Sequence, residues 1–256
     1  MAPQIIFYDI PSKAPAKAWS FNPWKIRMVL NMKGLDYKTE FVEYPDLVPT
    51  LKALGIPPND PNEPGYFSDY TSPAIRYADG TFAMDSWHIV HALEKQYPTP
   101  SLHLDDPIVE KVRNISVLGP IVEHLMPKVP NLLTSISSEY FYRTREIMFG
   151  KPLQQVEAEA TEEQWEDMRA KAKEVGDLLR KKGGPFFLGE TGESEIGKGA
   201  YKRTNLCAVS YADVCFVTCL KFLEILDEGV FERYLALDEA FPKVYKASRK
   251  WLARDD

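Results

Sequence analysis

Cysteine is scarce in this 256-residue chain: there are three, Cys207, Cys215 and Cys219. So sparse and odd a set argues against a disulfide scaffold and for a reducing compartment. No apolar run approaches the ~18 residues of a membrane helix, and Met1-Ala-Pro-Gln lacks the charged-then-apolar layout of a secretion signal. The expected location is cytoplasmic, with no membrane partner. A positive surplus is also missing: 31 Lys and Arg stand against 37 Asp and Glu, for a net charge of −6. That balance argues against nucleic acid as a partner. Metal-site patterns fail as well. His88 and His91 share a helix but lack the Glu and the i, i+4 spacing of a zinc protease, and Cys215 and Cys219 lie on an apolar stretch with no His nearby. Buried core thiols are the simpler account, and no metal is expected. The string Gly192-Glu-Ser-Glu-Ile-Gly197-Lys198-Gly199 falls one residue short of a phosphate loop and lacks its terminal Ser or Thr. It also puts Glu193 and Glu195 where phosphates would go.

What is present is an ordinary globular composition, 45% hydrophobic and 27% charged, long enough for one large domain or two modest ones. The most informative stretch runs from Thr71 to Leu93. Ala74-Ile-Arg-Tyr and Thr81-Phe-Ala-Met read as short strands around Asp79-Gly80, a hairpin signal in which both turn residues favour positive φ. Pro73 opens the first strand, where proline is tolerated and where a cis bond would turn the Ser72 backbone outward. Asp85 or Ser86 then caps a helix whose apolar positions are 87, 90 and 93.

Upstream, Gln4 to Ile10 reads as a strand and Tyr37 to Tyr44 as another. Between them lies a helix with Asn22 as its cap, Pro23 at its first position and Gly34 at its left-handed end. Ile26, Val29, Leu30 and the stem of Lys33 share its sheet-facing side. The order is βαβ then ββα. The proline-rich stretch from Pro45 to Tyr70 holds one short helical turn at Leu47–Leu54 and is otherwise a long ordered loop, of the kind that serves binding sites. Gln96-Tyr-Pro-Thr-Pro-Ser marks a boundary, giving domains at 1–98 and 107–256. From Pro107 the period is helical throughout. Ile108, Val112, Ile115, Val122 and Leu125 form one stripe with a kink at Gly119-Pro120, and Leu132, Leu133, Ile136 and Tyr140 form another. Thr161 to Lys182 is a charged amphipathic helix. Phe186-Phe-Leu-Gly leads through a long loop, Glu190–Leu206, to Ser210-Tyr-Ala-Asp213, a capping box opening a helix at Val214–Leu226.

The run Ser72-Pro73, strand, Asp79-Gly80, strand, Asp85-Ser86, helix resembles the glutathione-binding half of the glutathione transferase superfamily. The later Phe-Leu-Gly and Ser-x-Ala-Asp strings resemble its helical half. The fold implied is an α/β thioredoxin-like N-terminal domain followed by an all-α C-terminal domain. In that family the loop at the proline, here Ser72 and Pro73, meets the cysteinyl part of glutathione, and the acidic-Ser pair, here Asp85 and Ser86, holds the γ-glutamyl carboxylate and amine. Trp19-Ser20-Phe-Asn-Pro-Trp-Lys-Ile-Arg27 resembles the serine-type transferases, which implies Ser20 as the catalytic hydroxyl and Asn22 as a second donor. The same string looks closest to the β-etherase-related fungal Fua class. That class implies a homodimer with a pocket for aromatic compounds such as lignin-derived phenolics, and a detoxifying role. Trp19, Phe21, Leu125 and Met126 are expected at the pocket wall. Glutathione is the expected co-substrate. The alternative from another class is a carrier of aromatic ligands with little turnover.

Overall fold

The computed structural model describes residues 4–190, 194–196, 200–202 and 208–256. Gly192, Glu193, Gly197, Lys198 and Gly199 of the rejected phosphate-loop string, and Cys207, lie outside the described residues. The N-terminal half runs β1 (Ile5–Asp9), α1 (Phe21–Met32), β2 (Tyr37–Phe41), α2 (Leu47–Ala53), β3 (Ala74–Arg76), β4 (Phe82–Met84) and α3 (Ser86–Gln96). The strands form one sheet in the order β2-β1-β3-β4, with β2 parallel to β1 and the other pairs antiparallel. This is the thioredoxin-like arrangement. β1 is central and buried along its whole length, as its unbroken Ile-Ile-Phe-Tyr run requires.

Burial on both sides makes the last residue of β1 notable. Asp9 and Arg27 are both fully buried and paired at 2.8 Å. Burial pushes the Asp9 carboxyl up, against the opposing pull of the guanidinium. Arg27 also donates to Thr39 at 3.0 Å and to the Asp256 carbonyl at 2.7 Å, and lies against the rings of Phe7, Trp24 and Tyr37. One side chain thus ties α1 to both parallel strands. Lys33, at the far end of α1, ties that helix to α3 and the segment after it, donating to Glu94 at 2.7 Å and to the Tyr97 and Pro100 carbonyls at 2.5 and 2.9 Å.

The helical half runs α4 (Pro107–Asn114), α5 (Val122–Leu125), α6 (Ser135–Phe149), α7 (Leu153–Glu159), α8 (Glu162–Arg180), the strand pair β5 (Ser194–Ile196) and β6 (Ala200–Lys202), then α9 (Tyr211–Leu226), α10 (Glu228–Leu235) and α11 (Ala240–Ser248). α9 is buried on nearly every side and is the axis of this half. Its capping box forms as expected, but the helix starts at Tyr211 rather than Val214.

Four local expectations are corrected. α1 starts two residues earlier, with Ser20 as N-cap and Pro23 inside the first turn, where the missing N–H has no helical partner to lose. In the hairpin only Gly80 has positive φ, at 88°; Gly80 N–H reaches the Tyr77 carbonyl and Tyr77 N–H the Thr81 carbonyl, a three-residue loop closed by a glycine bulge. Gly119-Pro120 does not kink one helix but separates α4 from α5 through a short 3₁₀ turn. The second apolar stripe is also wrong beyond Leu133: Ile136 is 59% exposed, and α6 turns Ser137 and Phe141 inward instead.

Candidate functional site

The sheet register draws three segments to one edge. Tyr8 pairs with Ala74 and Ala74 with Met84, so Ser72-Pro73 and Asp85-Ser86 both flank the C-terminal end of β1. The Asp85 N–H reaches the Pro73 carbonyl at 3.2 Å and closes the two segments together. The chain leaving β1 at this edge loops round to Ser20 and α1. Ser20, Ser72, Pro73, Asp85 and Ser86 therefore share one end of the domain although 66 positions separate the first from the last.

Each segment carries a mark of a built site. Ser20 is half-buried at the N-cap of α1, yet its side chain makes no capping hydrogen bond. The Ser72–Pro73 bond is cis, and the buried Ser72 hydroxyl has no partner. Asp85 has φ 72° and ψ 131°, a conformation that non-glycine residues rarely adopt. Its carboxylate caps α3 by accepting the Trp87 N–H at 2.7 Å. Asn22 is the second residue of α1, with its amide oxygen accepting from Lys25 at 2.9 Å.

α9 crosses the starts of both helices. Phe222 meets Phe21 and Trp19 at 5.9 and 6.2 Å between ring centres, and Trp19 also meets Phe141 of α6. Tyr211, one end-to-end step of ~16 Å back along α9, meets Trp87 at 5.8 Å. Burial pushes the Tyr211 hydroxyl well above its ordinary range, and a hydrogen bond from Ser86 opposes that rise. Of the expected pocket residues, Trp19 and Phe21 come together on Phe222. Leu125 is 1% exposed, in a short helix packed on α7, and its neighbour Met126 is a partly buried residue packed against the core. Phe222, Phe141, Tyr211 and Trp87 were not singled out from sequence, because an apolar helical residue at a site looks like any core residue.

A cleft of about 260 Å³ lies between the loop at Lys13–Ala16, Leu132, and Glu224 and Ile225 of α9. A larger open hollow of about 660 Å³ is at the other end of α3, by Glu94 and His103. Among the described residues no cluster of three His, Cys, Asp or Glu is placed to hold a metal, and no helix is long and apolar enough to cross a membrane.

The glutathione S-transferase N-terminal domain matches residues 19–96 and the corresponding C-terminal domain residues 107–240. A glutathione S-transferase-like protein of Aspergillus flavus, ustS, is 32% identical over 96% of this chain and 90% of its own length. Two glutathione transferases of Phanerochaete chrysosporium, GSTFuA3 and GSTFuA2, superpose with TM-scores of 0.79 and 0.80, each at 29% identity, over 98% and 99% of both chains respectively. A Ceriporiopsis subvermispora glutathione S-transferase solved with glutathione superposes with a TM-score of 0.79 at 28% identity over 97% of both chains. Matched in both halves, in chain order and across nearly its whole length, this chain belongs to the glutathione S-transferase family, whose co-substrate is glutathione.

Proposed function

We propose that this transferase holds glutathione at the sheet edge and activates its thiol, through Ser20, for attack on hydrophobic aromatic electrophiles. The observation that carries this is the uncommitted Ser20 hydroxyl at the start of α1, on the same edge as Ser72-Pro73 and Asp85-Ser86. A free thiol has a pKa near ~8.5, so thiolate chemistry at neutral pH needs stabilisation. The hydroxyl donates a hydrogen bond to the sulfur, and the unpaired N–H groups of the first turn favour the same anion. Asn22 keeps its amide N–H pair as a second donor. Asp85 and Ser86 take the γ-glutamyl amine and carboxylate, and Ser72 with Pro73 the cysteinyl part. The unpartnered Ser72 hydroxyl and the strained Asp85 backbone support a site built for a peptide rather than for fold stability.

The cleft beside Lys13–Ala16 shares its loop with Ser20 and is where we place the aromatic partner. Likeness to the two Phanerochaete enzymes supports a Fua-type substrate range, lignin- or plant-derived phenolics, and a detoxifying role with an etherase-like side reaction. The buried thiols Cys215 and Cys219 suit the cytoplasm.

Ser20→Ala should leave glutathione affinity nearly intact and raise the bound thiol pKa by ~1–2 units, since a hydrogen bond to a charged group is worth ~1.5–3 kcal/mol. Conjugation near neutral pH should fall ~10-fold or more. Ultraviolet titration of the bound thiolate decides this, and an unshifted pKa passes the role to Asn22 or the helix terminus. Binding of aromatic compounds without turnover by the unmodified protein would make it a carrier.

A homodimer is part of this proposal. Phe67 in the N-terminal half and Ile147 in the helical half are 69% and 78% exposed, apolar surface that two-fold packing of one half on the other would cover. Light scattering at micromolar concentration should give about twice the 29.2 kDa of one chain; a monomer mass refutes it.

A further inference from the structure

Beyond the residues of the N-terminal half, we propose that Arg113, from the last turn of α4, is a glutathione-binding residue that pairs with the α-carboxylate of the γ-glutamyl end. The proposal rests on Asp85 and Ser86 holding that end. An α-amino acid terminus is a zwitterion. Asp85 suits its ammonium but repels its carboxylate, so Ser86 and backbone N–H groups would face the negative end without a formal positive charge. Arg113 supplies one. Its guanidinium carbon stands 3.5 Å from the centre of the Trp87 ring, and the Trp87 N–H is the group bonded to Asp85. Trp87 in turn packs on Tyr211, whose buried hydroxyl lies in the field of Ser86, Arg113 and Asp85 together. These five side chains thus form one cluster, drawn from α3 and its cap, α4 and α9.

The state of Arg113 fits this role. It is exposed, and among the described residues it forms no ion pair with any acidic side chain. Arg27 by contrast is spent on Asp9, and Lys33 on Glu94. Stacking on an aromatic face orients a guanidinium while leaving its edge N–H groups available for a carboxylate, which they grip in a two-point fork. Lysine would provide charge without that fork. α4 begins at an Asp106 cap, where the Asp106 side chain accepts the Ile108 N–H at 3.0 Å, and packs along α9, so Arg113 is presented from a fixed element.

Calorimetry with three ligands tests the pairing: glutathione, glutathione amidated at the γ-glutamyl α-carboxylate, and glutathione amidated at the glycine carboxylate. Arg113→Gln should weaken glutathione ~10-fold or more, the range for a charge-assisted pair. It should weaken the glycine amide equally and leave the γ-glutamyl amide unchanged relative to wild type. Arg113→Lys should recover part of the loss. The bound thiol pKa should not move, which separates this residue from Ser20. Unchanged glutathione affinity in Arg113→Gln overturns the proposal, as does an equal loss for all three ligands, which would mark Arg113 as only bracing Trp87. Asp85→Asn measured alongside tells the two failures apart. If it weakens binding while Arg113→Gln does not, this inference alone fails. If neither weakens binding, the γ-glutamyl assignment fails with it.

Discussion

Asp85→Ala should weaken glutathione binding by about 2–4 kcal/mol, roughly 30- to 1,000-fold in Kd, the range for removing one partner of a desolvated charge pair. Two effects compound in that variant. The ammonium of the γ-glutamyl end loses its counter-ion, and alanine must hold φ 72°, which its Cβ opposes more than the short polar side chain of Asp does. The helix cap on Trp87 N–H is lost as well, worth ~1 kcal/mol of stability. Asp85→Asn isolates the charge, because asparagine caps helices and tolerates positive φ about as well as aspartate. The expected result is that both variants bind glutathione poorly by calorimetry, but only alanine also lowers the unfolding midpoint. Unchanged affinity in both would remove Asp85 from the site.

The second large effect is on stability. Asp213→Ala should cost about 3–5 kcal/mol, because three donors lose their acceptor inside the core. The Asp213 carboxylate accepts the Phe187 N–H at 2.9 Å and the Ser210 N–H and hydroxyl at 2.8 Å each, while fully buried. It joins the cap of α9 to the Phe186–Leu188 turn, so its loss loosens the helix that crosses both halves of the site. Asparagine does not rescue it, since one amide arm would point its own N–H at a donor. A pH dependence follows. Burial pushes the Asp213 carboxyl up to about 6 from an ordinary value of 3.8, the bonded donors opposing that rise. The unfolded chain sheds this proton first, so the residue's contribution to stability falls as pH rises from about 4 to 6. Urea unfolding at one protein concentration should therefore show a larger penalty for Asp213→Ala at pH 4 than at pH 7. A penalty that grows with pH would contradict the assigned direction.

Some residues declared their place within a few positions of themselves. Ser210 and Asp213 announce a capping box, Gly34 a left-handed helix end with φ 63°, and Asp85 a helix start. Each depends on backbone groups a turn away, so the local sequence contains both partners. Ser72-Pro73 and Asp85-Ser86 were legible as a pair for the same reason: one short hairpin separates them. The errors have a common cause too. Asn22 and Ser20 are both good caps, and only the packing of Trp24 and Pro23 into the core selects the earlier one. Ile136 matches an apolar stripe that nothing in the described structure covers.

From its sequence alone this chain specified the order of strands and helices in the N-terminal half, the capped starts of α3 and α9, and the two segments of the sheet edge that lie close in sequence, while the strand pair β5–β6 was read as part of a long loop. Tertiary structure decided the rest: that β1 pairs in the register that brings Ser20's loop to that edge, that α9 lays Phe222 on Trp19 and Tyr211 on Trp87, and that α4 places Arg113 there while Leu125 turns into the core. The division is physical. Caps and turns are satisfied by hydrogen bonds a few residues away, whereas a binding wall is made of apolar and charged side chains whose partners are chosen by packing between elements far apart in the chain.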